Sequence, residues 1–124
     1  MAKRGARDAP DRRVVHQVLR RVLVRIGTRP RWTQCVFARD RFGSAVHPRD
    51  PRAVRWCVSG AVAREVPNVP PIMFGLQTRV EDELCRAAKA AGFSRSMISI
   101  NDSLDGYPAV LAILKRAIRA TAAR

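Results

Sequence analysis

Apolar residues recur at helical spacing from Val15 through Val18, Leu19, Val22 and Leu23 to Ile26. The run predicts an amphipathic helix with one buried stripe. Arg13, Arg20, Arg21 and Arg25 fall on its other side. Asp8-Ala-Pro-Asp11 reads as the start of this helix, with Asp8 as cap and Pro10 in the first turn. Gly27 and Pro30 supply the stop.

The period shortens after that. Thr33, Cys35, Phe37 and Arg39 alternate with Gln34, Val36 and Ala38, and Asp40-Arg-Phe-Gly43 reads as a turn. With Ser44 to Val46 returning, residues 31–48 predict a small β-hairpin. Asp50-Pro51 then predicts the start of a second helix. Ala53, Val54, Cys57, Val58, Ala61 and Val62 fill one broad face of it, and Trp56, Gly60 and Ala63 extend the apolar character around it. A helix apolar on most sides belongs in the middle of a bundle, with Trp56 and Cys57 as core residues.

Pro67-Asn-Val-Pro70-Pro71 breaks the chain, and Ile72, Met73 and Phe74 are expected to plug the core. Thr78-Arg-Val-Glu81 has capping-box spacing and predicts a third helix. Its stripe is Val80, Leu84, Ala87, Ala88 and Ala91, Cys85 flanks the stripe as a further core residue, and Gly92 is the stop. Ser94 to Asp105 reads as a connection in which Ile98 and Ile100 alternate. A last helix runs from about Tyr107 to Ala120, with Val110, Leu111, Ile113, Leu114, Ala117 and Ile118 facing inward. The fold class is therefore mainly α: a compact bundle of about four helices with a small β-hairpin between helices one and two. Residues 1–8 read as a flexible basic arm, 9–120 as one helical domain and 121–124 as a frayed tail.

Composition adds the compartment and the charge. At 124 residues and 47% hydrophobic, the chain is long enough to fold on its own core. No apolar run is long enough to span a membrane, and the charged N-terminus is not of signal-peptide type. Three widely spaced cysteines, Cys35, Cys57 and Cys85, form no CxxC pair and no cluster with His16 or His47. Reduced thiols in a cytoplasm are the expectation, with no metal and no cofactor. The net charge is +14, and arginine supplies 21 of the 24 basic residues. The excess is concentrated in the first half of the chain, which makes that half the polyanion-facing candidate.

Chemistry-bearing motifs are few. There is no glycine-rich phosphate loop, no G-x-S-x-G and no H-E-x-x-H. Glu81, Asp82 and Glu83 cluster where a helix dipole would stabilise them. Cys35, near Trp32 and His47, is the one candidate nucleophile, and its dyad with His47 would lack an orienting third member. The basic surface is the stronger signal. Arg13, Arg20, Arg21, Arg25, Arg29, Arg31, Arg39 and Arg41 form the candidate contact set, with Trp32 among them as a residue that stacks on bases if exposed. The leading expectation is a small non-enzymatic basic binding protein that contacts nucleic acid or a nucleoprotein complex through this arginine-rich face. An interaction or inhibitor module for an acidic protein partner is the alternative. An enzyme centred on Cys35 is the third class.

Trp32-Thr-Gln34, Ala38-Arg39-Asp40, Ala53-Val-Arg55-Trp56-Cys57 with Gly60-Ala61, and Asn101-Asp102 ahead of Val110-Leu111-Ala112 together carry a resemblance. Over about residues 12 to 120 the chain resembles a family of short uncharacterised bacterial and phage proteins, a domain of unknown function. The resemblance implies a shared fold rather than a reaction; the expectation that the binding protein serves a phage or mobile element as an accessory factor stands apart from it. The segment after Asn101-Asp102 departs from the Pro-Gly-Arg-Thr-like turn of that pattern.

Overall fold

A computed structural model describes the backbone of residues 2–69, 75–104 and 106–122, and the side chains within those ranges from residue 12 onward. The expected core plug at Ile72, Met73 and Phe74 lies outside the described residues, as do the side chains of the basic arm.

Helix α1 (Ala2–Ile26) begins upstream of the start expected at Asp8. Its stripe is as patterned: Val15, Val18, Leu19, Val22 and Ile26 are buried, joined by Val14, while Leu23 is half-buried. The helix packs against three others: α2 (Val58–Glu65), α3 (Leu76–Ala90) and α5 (Gly106–Thr121). A one-turn-plus helix, α4 (Met97–Asn101), packs on α2 and α5. The chain is thus mainly helical, with a small antiparallel sheet formed early in the sequence.

The expected hairpin is present beside that sheet in reduced form, as a single bridge. Asp40 accepts from the backbone N–H groups of Phe42 (2.9 Å) and Ser44 (3.0 Å), and Gly43 takes a left-handed φ of 86°, which closes the turn. Val46 N–H donates to the Ala38 carbonyl, and Arg39 bridges Ala45. The longer pairing lies elsewhere: β1 (Ala38–Arg39) pairs with β2 (Arg55–Trp56), Ala38 opposite Trp56 and Arg39 opposite Arg55.

This pairing corrects the second helix. Asp50 does take the Arg52 N–H (2.8 Å), and Ala53 N–H closes one turn onto the Asp50 carbonyl. Val54 N–H then donates to the Arg39 carbonyl at 2.8 Å, which turns the chain into a strand. Cross-strand bonds won over a local cap signal, so the helix starts only after Cys57. Trp56 is a strand residue, 2% exposed, with its indole N–H donated to the Pro48 carbonyl. What the pattern said about the helix itself holds. Val58 to Val62 and Glu65 are buried, and α2 touches α1, α3 and α4. Gly60 is needed there because a β-carbon would overlap the Phe37 carbonyl; the close neighbour is loop backbone, not another helix.

Cys57 caps α2 with its sulfur, which accepts from Gly60 N–H at 3.2 Å. Burial pushes this thiol's pKa up, so it stays neutral. Serine is the better capping residue and nearly the same shape. Cys57→Ser should therefore hold the midpoint of urea unfolding, while Cys57→Ala should cost about 1 kcal/mol. Equal losses in both variants would mean that the sulfur acts by packing alone.

Three further expectations change. Helix α3 starts from Gly75 (φ 77°), so Thr78 lies inside it and the capping box is not its start, although Gly92 (φ 95°) does end it. Ser96 caps Ser99 N–H and converts the expected 94–105 connection into α4, with Ile100 buried and Ile98 exposed. Cys85 is exposed rather than core, because it lies 100° around α3 from the buried Leu84. At the end of the chain Thr121 belongs to α5 and is buried, bonded to His16 across 3.0 Å and to the Ala117 carbonyl.

Candidate functional site

Two regions of the fold hold polar side chains in fixed geometry. The first is centred on Asn101, 1% exposed at the end of α4. Its Oδ1 accepts from the Trp32 indole N–H (2.8 Å) and from Val58 N–H (3.0 Å), the open first turn of α2. Its Nδ2 donates to the Thr33 carbonyl (3.1 Å) and to Asp102 Oδ1 (3.0 Å). Every donor and acceptor direction of the amide is used, and these partners fix its orientation. Gln34 adds two bonds from the other side, from its Nε2 to the carbonyls of Asn101 and Ser103.

The same network shapes the loop that carries Cys35. Thr33 N–H donates to the Trp56 carbonyl and Cys57 N–H to the Phe37 carbonyl, so the ends of the 33–37 loop grip one peptide unit. Cys35 sits near its apex, exposed, at a φ of 71° that non-glycine residues seldom adopt. Its N–H donates to Asp102 Oδ1 at 2.9 Å. A cavity of about 90 Å³ lies against Cys35, Phe37, Cys57, Ile98, Asn101 and Asp102. No histidine is among its lining residues. His47 is turned to its own loop, accepting from Arg49 N–H through Nδ1, and among the described residues no hydrogen bond joins it to Cys35. The structure brings Cys35 and Cys57 to one cavity and does not assemble the Cys35–His47 dyad.

The second region is the arginine face. Arg13, Arg20 and Arg21 are exposed, as the pattern of α1 requires, and so are Arg29, Arg31 and Arg41 in the segments that follow it. Arg21 and Arg25 converge through Nε on Glu65, a carboxylate only 2% exposed at the end of α2. Arg25 also lies over the Trp56 ring, 4.5 Å from its centre, with Arg64 at 5.4 Å and Arg31 at 5.9 Å. Arg29 covers Tyr107 at 4.7 Å. Arg39 is spent inside its loop, donating to Thr33 Oγ1, the Gly43 carbonyl and the Gln34 carbonyl. Trp32 is likewise engaged: half-buried, bonded to Asn101 and packed on Tyr107 at 5.1 Å between ring centres. Phe42, 78% exposed with Arg41 over its ring, is an aromatic that the fold leaves at the surface beside an arginine, and Phe37 is exposed as well. A cleft of about 280 Å³ between α1 and α2 is lined by Arg20, Arg21, Val24, Arg25, Arg31 and Glu65.

Two residues of these regions were not singled out as site candidates from the sequence. Asn101 falls in the segment read as a connection. Glu65 was passed over, although it follows Ala61 by four and Val62 by three and so continues the buried stripe of its helix.

Burial pushes the Glu65 carboxyl up, and the hydrogen bonds and charges of Arg25 and Arg21 more than offset that, so its pKa lies below the usual 4.5. A depressed carboxylate contributes stability above its unfolded pKa and loses it as pH falls through the folded value. The urea midpoint should therefore drop as pH is taken from 5 to 3, and Glu65→Gln should be less stable at pH 7 but lose less on acidification. An acid response of Glu65→Gln equal to that of the parent would contradict the assignment.

Fold and site together define a small helical protein with an interlocked polar hub and a strongly basic face. The chain belongs to a family of unknown function, DUF6197, whose sequence profile matches residues 10–120. No match was found among curated proteins or among solved structures. No helix among the described residues is long and apolar enough to cross a membrane, and no group of three or more metal-ligating side chains occurs among them.

Proposed function

We propose that this protein is a non-enzymatic basic binding protein that contacts nucleic acid, free or within a nucleoprotein complex, through the arginine-rich face of α1 and the loops that follow it. One observation carries the reading: the two signs of charge are treated differently by the fold. Asp40 is buried in a turn, Glu65 is buried between two guanidinium groups, Asp50 pairs with Arg52, Glu81 accepts from Ser59 and Glu83 pairs with Arg86. Among the described side chains only Asp82 and Asp102 are both acidic and exposed, and Asp102 is held by Cys35 N–H and Asn101, whereas most arginines are exposed. Among the described residues the exposed charge is thus predominantly positive.

Exposed guanidinium groups pair bidentately with phosphate, and Phe42 with Arg41 beside it offers a surface on which a base stacks. Contacts of this kind go to phosphate, so affinity is electrostatic and sequence preference weak. The role fits a cytoplasmic accessory factor of a phage or mobile element. An acidic protein would meet the same arginines, and a comparison of probes separates the two. Anisotropy with random-sequence single- and double-stranded oligonucleotides should give binding in the micromolar range or tighter at low salt. Binding to an acidic polypeptide such as polyglutamate with no binding to any oligonucleotide would overturn the nucleic-acid reading.

A further inference from the structure

We infer that the cleft between α1 and α2 is a preorganised seat for a tetrahedral phosphate oxyanion, with Glu65 as the positioning residue that holds its guanidinium groups in place. The inference rests on the proposed nucleic-acid reading and names where one phosphate of that ligand is held.

The cleft gathers Arg20, Arg21, Arg25 and Arg31 around about 280 Å³, against the single carboxylate of Glu65. Glu65 is almost fully buried, and both of its oxygens are taken by guanidinium Nε atoms: Oε1 by Arg21 and Oε2 by Arg25. Binding through Nε leaves the terminal nitrogens of both arginines free to donate to something else. Arg25 is fixed a second time by the Trp56 ring beneath it. A guanidinium held in one orientation loses less entropy when it binds than a free surface arginine does. Arg20 and Arg31 are exposed and complete the rim, while Val24, exposed at 76%, adds an apolar edge. The excess of positive charge and the forked donors match a phosphate better than a carboxylate, because the tetrahedral group turns its oxygens towards several donors at once. Two sources carry this group, an internal phosphodiester and a terminal phosphate monoester.

The decisive variant is Glu65→Gln. A face that acts by charge alone gains from losing a negative group, so its oligonucleotide affinity should rise. A preorganised seat loses its anchor, so affinity should fall, by about tenfold, in protein shown by circular dichroism to be folded. Arg20→Ala, at a position free of internal hydrogen bonds in the structure, gives the same test without disturbing the buried pair. It should weaken binding at least tenfold, against less than threefold for Arg116→Ala, an equal charge loss on α5 outside the cleft. Inorganic phosphate should raise the melting temperature of the parent more than chloride at matched ionic strength, and the difference should vanish in Arg20→Ala. A 5′-phosphorylated oligonucleotide that binds tighter than its 5′-hydroxyl twin assigns the seat to terminal phosphate; equal binding assigns it to the backbone. Tighter binding by Glu65→Gln, or equal losses in Arg20→Ala and Arg116→Ala, overturns the cleft while leaving the nucleic-acid reading standing. A phosphate-specific shift with no oligonucleotide binding would retain the cleft and reject that reading.

Discussion

Replacing Asn101 by alanine is expected to lower the stability of the domain by about 3–4 kcal/mol, among the largest losses available to a single substitution in this chain. The side chain joins α4 to α2, to Trp32 and to Thr33 through three hydrogen bonds and makes a fourth to Asp102. Its removal strands the Val58 N–H, the Thr33 carbonyl and the indole N–H away from water. Each abandoned buried group costs roughly 1–3 kcal/mol, and neighbours in one network lose support together. Asn101→Asp tests the chemistry rather than the volume: it keeps the acceptor and replaces the donor with charge beside Asp102. It should be at least as damaging at pH 7 and recover partly in acid. A urea midpoint within about 0.5 kcal/mol of the parent for either variant would show that Asn101 is not the hub.

The second large effect concerns binding. Changing Arg13, Arg20, Arg31 and Arg41 together to alanine removes four exposed guanidinium groups, none of which makes a hydrogen bond within the structure. If each meets one phosphate, the slope of log K against log salt should become shallower by roughly 0.9 per contact, and affinity at low salt should fall at least about 100-fold. The fold should hardly notice, since exposed substitutions away from such networks stay within about 0.5 kcal/mol. Unchanged affinity in the quadruple variant would remove α1 and its following loops from the interface.

The parts of this architecture that were legible in the sequence are those set by local pattern. The α1 stripe from Val15 to Ile26, the inner face of α5 and the stop at Gly92 follow from spacing and backbone freedom. Asp40 to Gly43 was legible for the same reason, a turn whose residues carry their own hydrogen bonds. The start of α2 was not. Asp50 and Pro51 are a genuine cap signal, and Arg39, eleven residues earlier, supplies the carbonyl that takes Val54 away from it. Ile98 and Ile100 alternate as a strand would, yet Met97, Ile100 and Asn101 also repeat at helical spacing, and Ser96 decides in favour of a helix. The site was half legible. Arginines at positions 20, 21 and 25 mark a face, but nothing local says that Glu65, forty residues on, gathers two of them. Trp32 read as a residue that stacks on bases if exposed, and what decides its exposure, Asn101 and Tyr107, comes from the far end of the chain.

The central claim is that an electrostatic arginine face meets nucleic-acid phosphates. The most direct test is the binding constant for a random-sequence oligonucleotide, measured from about 50 to 200 mM monovalent salt. The account predicts a linear fall of log K with log salt, with a slope of roughly −0.9 for each phosphate contacted on duplex DNA and −0.7 on a single strand. Binding that stays flat across that range would contradict it.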